Sequence, residues 1–201
     1  MNRNLYKAGI LLLGIQLILG IVFILLFYQM GNEIFTHPWY LPFSVLVQLI
    51  VLSDSIIYLK YYRFKNFESA YVVGIIVTIL NMAYYFVVYN MLANGSLGNL
   101  FIPSYSVILI VTFPYVLILI KTKAGERIWL KRAGIFSLIL LLFLAGSFFW
   151  GLTPYATSYA QSLTKFHQWT SLIGSLSIVF FLMNFVDELH NMGEIKLKAS
   201  V

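Results

Sequence analysis

The chain has 201 residues, of which 61% are hydrophobic and only 10% charged, with a formal net charge of +6. A soluble domain carries about 25% charge, so a mean hydropathy of +0.88 excludes a water-soluble globule. The absence of cysteine excludes disulfides, thiol catalysis, Fe–S clusters and thiolate metal sites.

The start, Met1-Asn2-Arg3-Asn4-Leu5-Tyr6-Lys7, is basic, and an apolar run follows from Ala8 to Tyr28. That run exceeds the 7–15 residues of a signal-peptide core and no A-x-A site follows it. It reads as a retained first span. In all, six apolar runs predict transmembrane helices at about 8–29, 39–61, 70–91, 101–121, 131–152 and 165–186. Each is long enough to cross ~30 Å of hydrocarbon at 1.5 Å per residue. The expected fold is an all-α polytopic membrane bundle forming a single domain over 1–201.

The links are short. Before the second span, Thr36 or His37 is placed to cap it, with Pro38 in its first turn. Trp39-Tyr40 and Tyr61-Tyr62 then mark its two membrane interfaces. Arg3, Lys7, Lys60, Arg63, Lys65, Lys121, Lys123, Arg127, Lys131 and Arg132 all fall on one side, whereas the other links hold only Lys165. By the positive-inside rule both termini face the cytoplasm, and the expected location is the cytoplasmic membrane. Basic residues at span ends read as topology signals and lipid-phosphate contacts, so nucleic acid is not an expected partner. The expected partners are the bilayer and either a membrane-protein partner or a second copy. After Asp187 the tail is short, mixed in charge and expected to fray.

Polar residues within the spans carry the functional signal. Asp54, in Ser53-Asp54-Ser55, is the only acidic or basic side chain well inside an apolar run. A mid-helix Asp costs about 2.5–3.5 kcal/mol on insertion scales, so it should face the bundle or a wet cavity. Counted from span centres, Asp54 lies about 6 Å and Gln16 about 4 Å to the cytoplasmic side. Thr78 lies about 4 Å to that side, and Asn81 sits near the midplane. In the third span Gly74, Thr78, Asn81 and Tyr85 recur at spacings of four, three and four, which is one helix face. The second and third spans are antiparallel neighbours, so Asp54 and Thr78 should meet at similar depth. Asp54, Thr78, Asn81 and Gln16 are therefore the candidate site for a cation, a proton or a polar solute, with water reaching Asp54 from the cytoplasm. The competing reading makes the neutral polar residues packing contacts between helices.

Two further features belong to the same reading. Pro114, inside the fourth span, removes a backbone hydrogen bond and is a candidate gating kink. Ser171, Ser175 and Ala145-Gly146-Ser147 offer small surfaces for close helix approach. No zinc-protease motif, nucleophile–base pair, phosphate loop or metal-ligand cluster is present, so neither enzyme chemistry nor a cofactor is expected. The intramembrane polar layer at Asp54 points first to a small transporter or transporter subunit. The alternative is a non-catalytic membrane subunit or sensing protein of a larger complex.

Overall fold

The computed structural model describes residues 1–94, 98–122, 127–153, 173 and 176–199. Among them are six α-helices: α1 (Arg3–Met30), α2 (Tyr40–Phe64), α3 (Glu68–Asn94), α4 (Phe101–Ile120), α5 (Ile128–Gly151) and α6 (Ser177–Ala199). Five of these, α1 to α5, are long and apolar enough to cross a membrane. That is the architecture of a multi-pass membrane protein.

The sixth predicted span, 165–186, is described only in part. Residues 165–172, 174 and 175 lie outside the described residues. The described helix begins at Ser177 and continues to Ala199, where a frayed tail was expected after Asp187. Its continuation has a physical reason, because Glu188 is held by two partners on α2 and the α2 terminus. Tyr61 donates a hydrogen bond to Glu188 Oε1 at 2.8 Å, and Lys65 Nζ stands 2.9 Å from Oε2.

Local signals set several helix ends. Asn2 caps α1 by accepting from the Asn4 N–H at 3.1 Å, satisfying one of the free first-turn donors. Gly31, at φ +57°, ends the same helix in a conformation that favours glycine. Between α2 and α3 the chain reverses through Asn66, at φ +51°. The Phe67 N–H bonds the Tyr62 carbonyl at 2.8 Å and the Asn66 N–H bonds that of Arg63 at 3.2 Å. This is a Schellman C-cap with Asn in the left-handed position. The start of α2 differs from expectation. The helix begins at Tyr40, a 3-10 helix fills Gly31–Thr36, and Trp39 makes no side-chain cap. Pro42, not Pro38, lies in the first turn.

The helices form a closed ring. Each packs on its neighbours in sequence, and α6 returns to α1. The chain order therefore places α1, α3 and α5 antiparallel to α2 and α4. The first turns of α1, α3 and α5 and the last turns of α2 and α4 share one end, which carries most of the basic residues. Outward faces are apolar and regularly spaced. Leu11, Ile18 and Leu25 on α1, and Val72, Ile79 and Phe86 on α3, are exposed at intervals of seven. Seven residues are nearly two helical turns, so each set is one stripe suited to lipid.

Packing is tightest at the basic end. Tyr6, Tyr61, Tyr62, Leu119, Leu130 and Phe185 are buried there in one cluster. Tyr61 and Tyr62 are 0% and 1% exposed, so they are not the interfacial markers that their position at a span end suggests. Across the ring Tyr58 stacks on Phe185 with centroids 4.5 Å apart, and its hydroxyl donates to the Phe181 carbonyl at 2.8 Å. Tyr62 shares a 2.7 Å hydrogen bond with Tyr115 of α4. Arg127 ties the two basic links together. Its Nη2 donates to the Lys65 carbonyl at 2.9 Å, and its guanidinium lies 4.8 Å from the Phe67 ring centroid.

Close helix approach occurs at Gly134, not at Ala145-Gly146-Ser147. A Cβ on Gly134 would lie 2.8 Å from Leu119 Cβ and 2.9 Å from the Ile120 backbone nitrogen, whereas one on Gly146 would meet nothing within 4 Å. Ser171 and Ser175 lie outside the described residues. Gly134→Ala should therefore cost about 1–3 kcal/mol of stability by overpacking. Gly146→Ala should cost nothing and gain up to about 1 kcal/mol of helix propensity. Thermal denaturation of the two detergent-purified variants against the parent measures the difference.

Candidate functional site

The interior face of α2 runs from Asp54 through Tyr58 to Tyr61 and Tyr62, at spacings of four, three and one. Residues four apart stack on one helix face. One turn therefore separates the Asp54 carboxylate from the aromatic layer. Tyr58, Tyr61 and Tyr62 with Phe185 fill the ring at the basic end, and the site lies on the other side of that layer.

There the helices leave a cavity of about 290 Å³. By water's share of liquid volume, ≈ 30 Å³, that is space for about ten molecules. All four sequence candidates line it: Gln16 from α1, Asp54 from α2, and Thr78 and Asn81 from α3. The polar stripe of α3 turns inward as its spacing required, with Gly74 and Tyr85 also on the wall. Ser177 of α6 joins the same wall, whereas Thr112 of α4 does not. Ser175 lies outside the described residues.

Asp54 is 6% exposed, and among the described residues neither carboxylate oxygen has a hydrogen-bond partner. Among the described residues no Lys, Arg or His lines the cavity. The neutral neighbours are partly committed to their own helices. The Thr78 hydroxyl donates to the Gly74 carbonyl at 2.8 Å. Asn81 Nδ2 donates to the Val77 carbonyl at 2.9 Å, which leaves its Oδ1 as an acceptor. The flanking serines behave likewise. Ser53 donates to Leu49 and Ser55 to Val51, at 2.8 and 2.9 Å. Asp54 is thus the one charged group on the wall, and among the described residues its hydrogen-bonding capacity is unspent. A buried carboxylate in that condition is costly unless protonated or met by a positive charge.

The expected route for water does not match this geometry. From the basic end Asp54 is shut off by Tyr58, Tyr61 and Tyr62. The exposed lining residues, Met82 and Tyr85, lie further along α3, away from that end. Pro114 sits on the exposed side of α4, and the helix runs through it unbroken from Phe101 to Ile120. The residue after it, Tyr115, lines the cavity and closes its floor against Tyr62.

The sequence reading missed the aromatic floor. Its signal was present: Tyr58, Tyr61 and Tyr62 continue the Asp54 face of α2 without a break. It also missed Asn184, which is 3% exposed on α6 with Nδ2 unpartnered. Among the described residues no three of His, Asp and Glu approach closely enough to hold a metal ion. No family model, curated protein or solved structure matches the chain.

The cavity can be tested by thiol accessibility, because the chain has no cysteine of its own. A single Asn81→Cys variant should react with a membrane-impermeant, positively charged methanethiosulfonate, since a thiol in contact with water ionises. Ile79→Cys, two residues away on the exposed apolar stripe, should stay unlabelled in liposomes. Equal labelling at both positions would contradict the assignment of faces.

Proposed function

We propose that the protein is a small transporter or transporter subunit, carrying a cation, a proton or a small polar solute through the cavity at Asp54. One observation carries this reading. A buried carboxylate with both oxygens unpartnered lines a cavity inside a ring of apolar helices. Evolving such a group as mere packing is disfavoured, because an apolar or amide residue would fill the position at lower cost. A carboxylate earns its place where it takes up a proton or a positive charge and gives it back.

Gln16, Thr78 and Asn81 supply the polar surface beside Asp54. The proposed gate is the Tyr62–Tyr115 hydrogen bond on the cavity floor. Pro114 precedes Tyr115 and cannot donate to the carbonyl four residues earlier. That freed carbonyl makes α4 easiest to bend next to the gate. Bending there would withdraw Tyr115 from Tyr62 and open the floor toward the basic end, which the charge distribution assigns to the cytoplasm. The proposed protein is not an enzyme, needs no cofactor, and works in the cytoplasmic membrane.

The helix α6 favours a second reading, as a non-catalytic subunit. It continues eleven residues past Glu188 to Ala199, about 16 Å at 1.5 Å per residue. Leu189 and Met192 still pack against the core cluster, and the turns beyond them are the proposed surface for another protein.

Flux assays separate the two. In proteoliposomes, Asp54→Asn should abolish ion- or pH-driven flux while the protein still inserts and elutes as a single species. Unchanged flux, or no flux from the parent protein under any gradient, would favour the subunit reading. Pro114→Ala should slow flux by about tenfold, equivalent to ~1.4 kcal/mol on the opening barrier, while leaving ligand affinity unchanged. Stopped-flow flux and equilibrium binding on the same variant check both halves of that expectation.

A further inference from the structure

We infer that the Asp54 cavity is selective for an organic ammonium ion, a primary or methylated amine with an apolar body, and not for a bare metal cation. The inference rests on the transport reading only for the direction of traffic. The recognition chemistry stands on the cavity wall itself. That wall combines one carboxylate with five aromatic side chains, Tyr58, Tyr62, Tyr85, Tyr115 and Phe181.

Each element fits an ammonium ion. The carboxylate supplies the charge and two unused acceptors. Asn81 Oδ1 adds a further acceptor on the same wall. Aromatic faces attract a cation through the ring quadrupole, by about 0.5–1 kcal/mol when exposed and about 2 when desolvated. Tyr58 stands one helical turn from Asp54 on the same face of α2, and both line the cavity. The volume of about 290 Å³ exceeds what a dehydrated metal ion needs and suits a molecule of about ten water volumes.

A divalent metal fits poorly. Calcium takes 6–8 oxygen ligands, several of them carboxylates, and magnesium demands near-octahedral oxygen geometry. This wall offers one carboxylate. Its other side-chain oxygens are neutral amides and hydroxyls, which leave the second charge of a divalent ion uncompensated. An anion fits worse, since no basic side chain among the described residues lines the cavity.

The test uses the full chain in nanodiscs, with radiolabelled phenethylamine as the probe and sodium, calcium and benzoate as competitors. Saturable binding is expected, with benzoate inert and sodium or calcium at equal concentration displacing none of it. Asp54→Asn should weaken binding by about 100-fold, in the range seen when one partner of a buried charged pair is removed. Tyr58→Phe keeps the ring and should stay within about threefold of the parent. Tyr58→Leu should weaken binding by about tenfold, the loss of one cation–π contact. If Tyr58→Leu disturbs folding, Tyr85→Leu against Tyr85→Phe gives the same comparison at a more exposed ring.

Absence of phenethylamine binding together with Asp54-dependent proton or sodium flux would overturn the ammonium assignment and leave the transport reading standing. Asp54-dependent binding without flux of any solute would do the reverse. Binding that is insensitive to Asp54→Asn, or that Tyr→Leu and Tyr→Phe affect equally, would overturn the ammonium assignment.

Discussion

A carboxylate enclosed by apolar helices is the constraint on which this structure turns. Water solvates an ionised Asp by several kcal/mol more than a protein interior does. Among the described residues the ring gives Asp54 neither a basic partner nor a hydrogen bond in exchange. What it does give is a cavity and a neighbouring aromatic layer. The proposed function answers that charge from outside the chain, by a proton or by a cation. The transport proposal and the ammonium proposal are two consequences of that one imbalance.

The aromatic layer has two roles. It is the main packing core, in which α2 meets α1, α4 and α6 through Tyr6, Tyr58, Tyr62, Tyr115 and Phe185. It is also the floor of the cavity. Stability and access are thereby coupled, because any opening toward the basic end must separate side chains that hold the ring together. The Tyr62–Tyr115 hydrogen bond closes that floor between α2 and α4, and Pro114 lies next to Tyr115 in the chain. The Tyr61–Glu188–Lys65 set lies at the outer edge of the same layer and anchors α6 there.

Much of this was legible in the residues. Asp54 stood out by charge alone, and the spacing of Gly74, Thr78, Asn81 and Tyr85 fixed which face of α3 turns inward. Gln16 was brought to the same wall by a depth argument that needs only 1.5 Å per residue. Three features were not legible for identifiable reasons. Tyr61 and Tyr62 resemble interfacial tyrosines because an aromatic at a span end has two satisfactory environments, and only the packing partner decides between them. Those partners, Tyr6 and Phe185, are far away in sequence. The continuation of α6 past Asp187 escaped because its support is a tertiary contact, Glu188 with Tyr61 and Lys65, that local charge pattern does not reveal. Gly134 and Gly146 look equivalent in sequence, and only the position of α4 distinguishes a contact from open space.

The central claim is that Asp54 answers a positive charge arriving in the cavity. Infrared difference spectroscopy of the protein in lipid tests it most directly, recorded on adding the ammonium probe. A change in the carboxyl stretching region is predicted for the parent protein and should vanish in Asp54→Asn. No change in the parent, or the same change in the variant, would contradict the account.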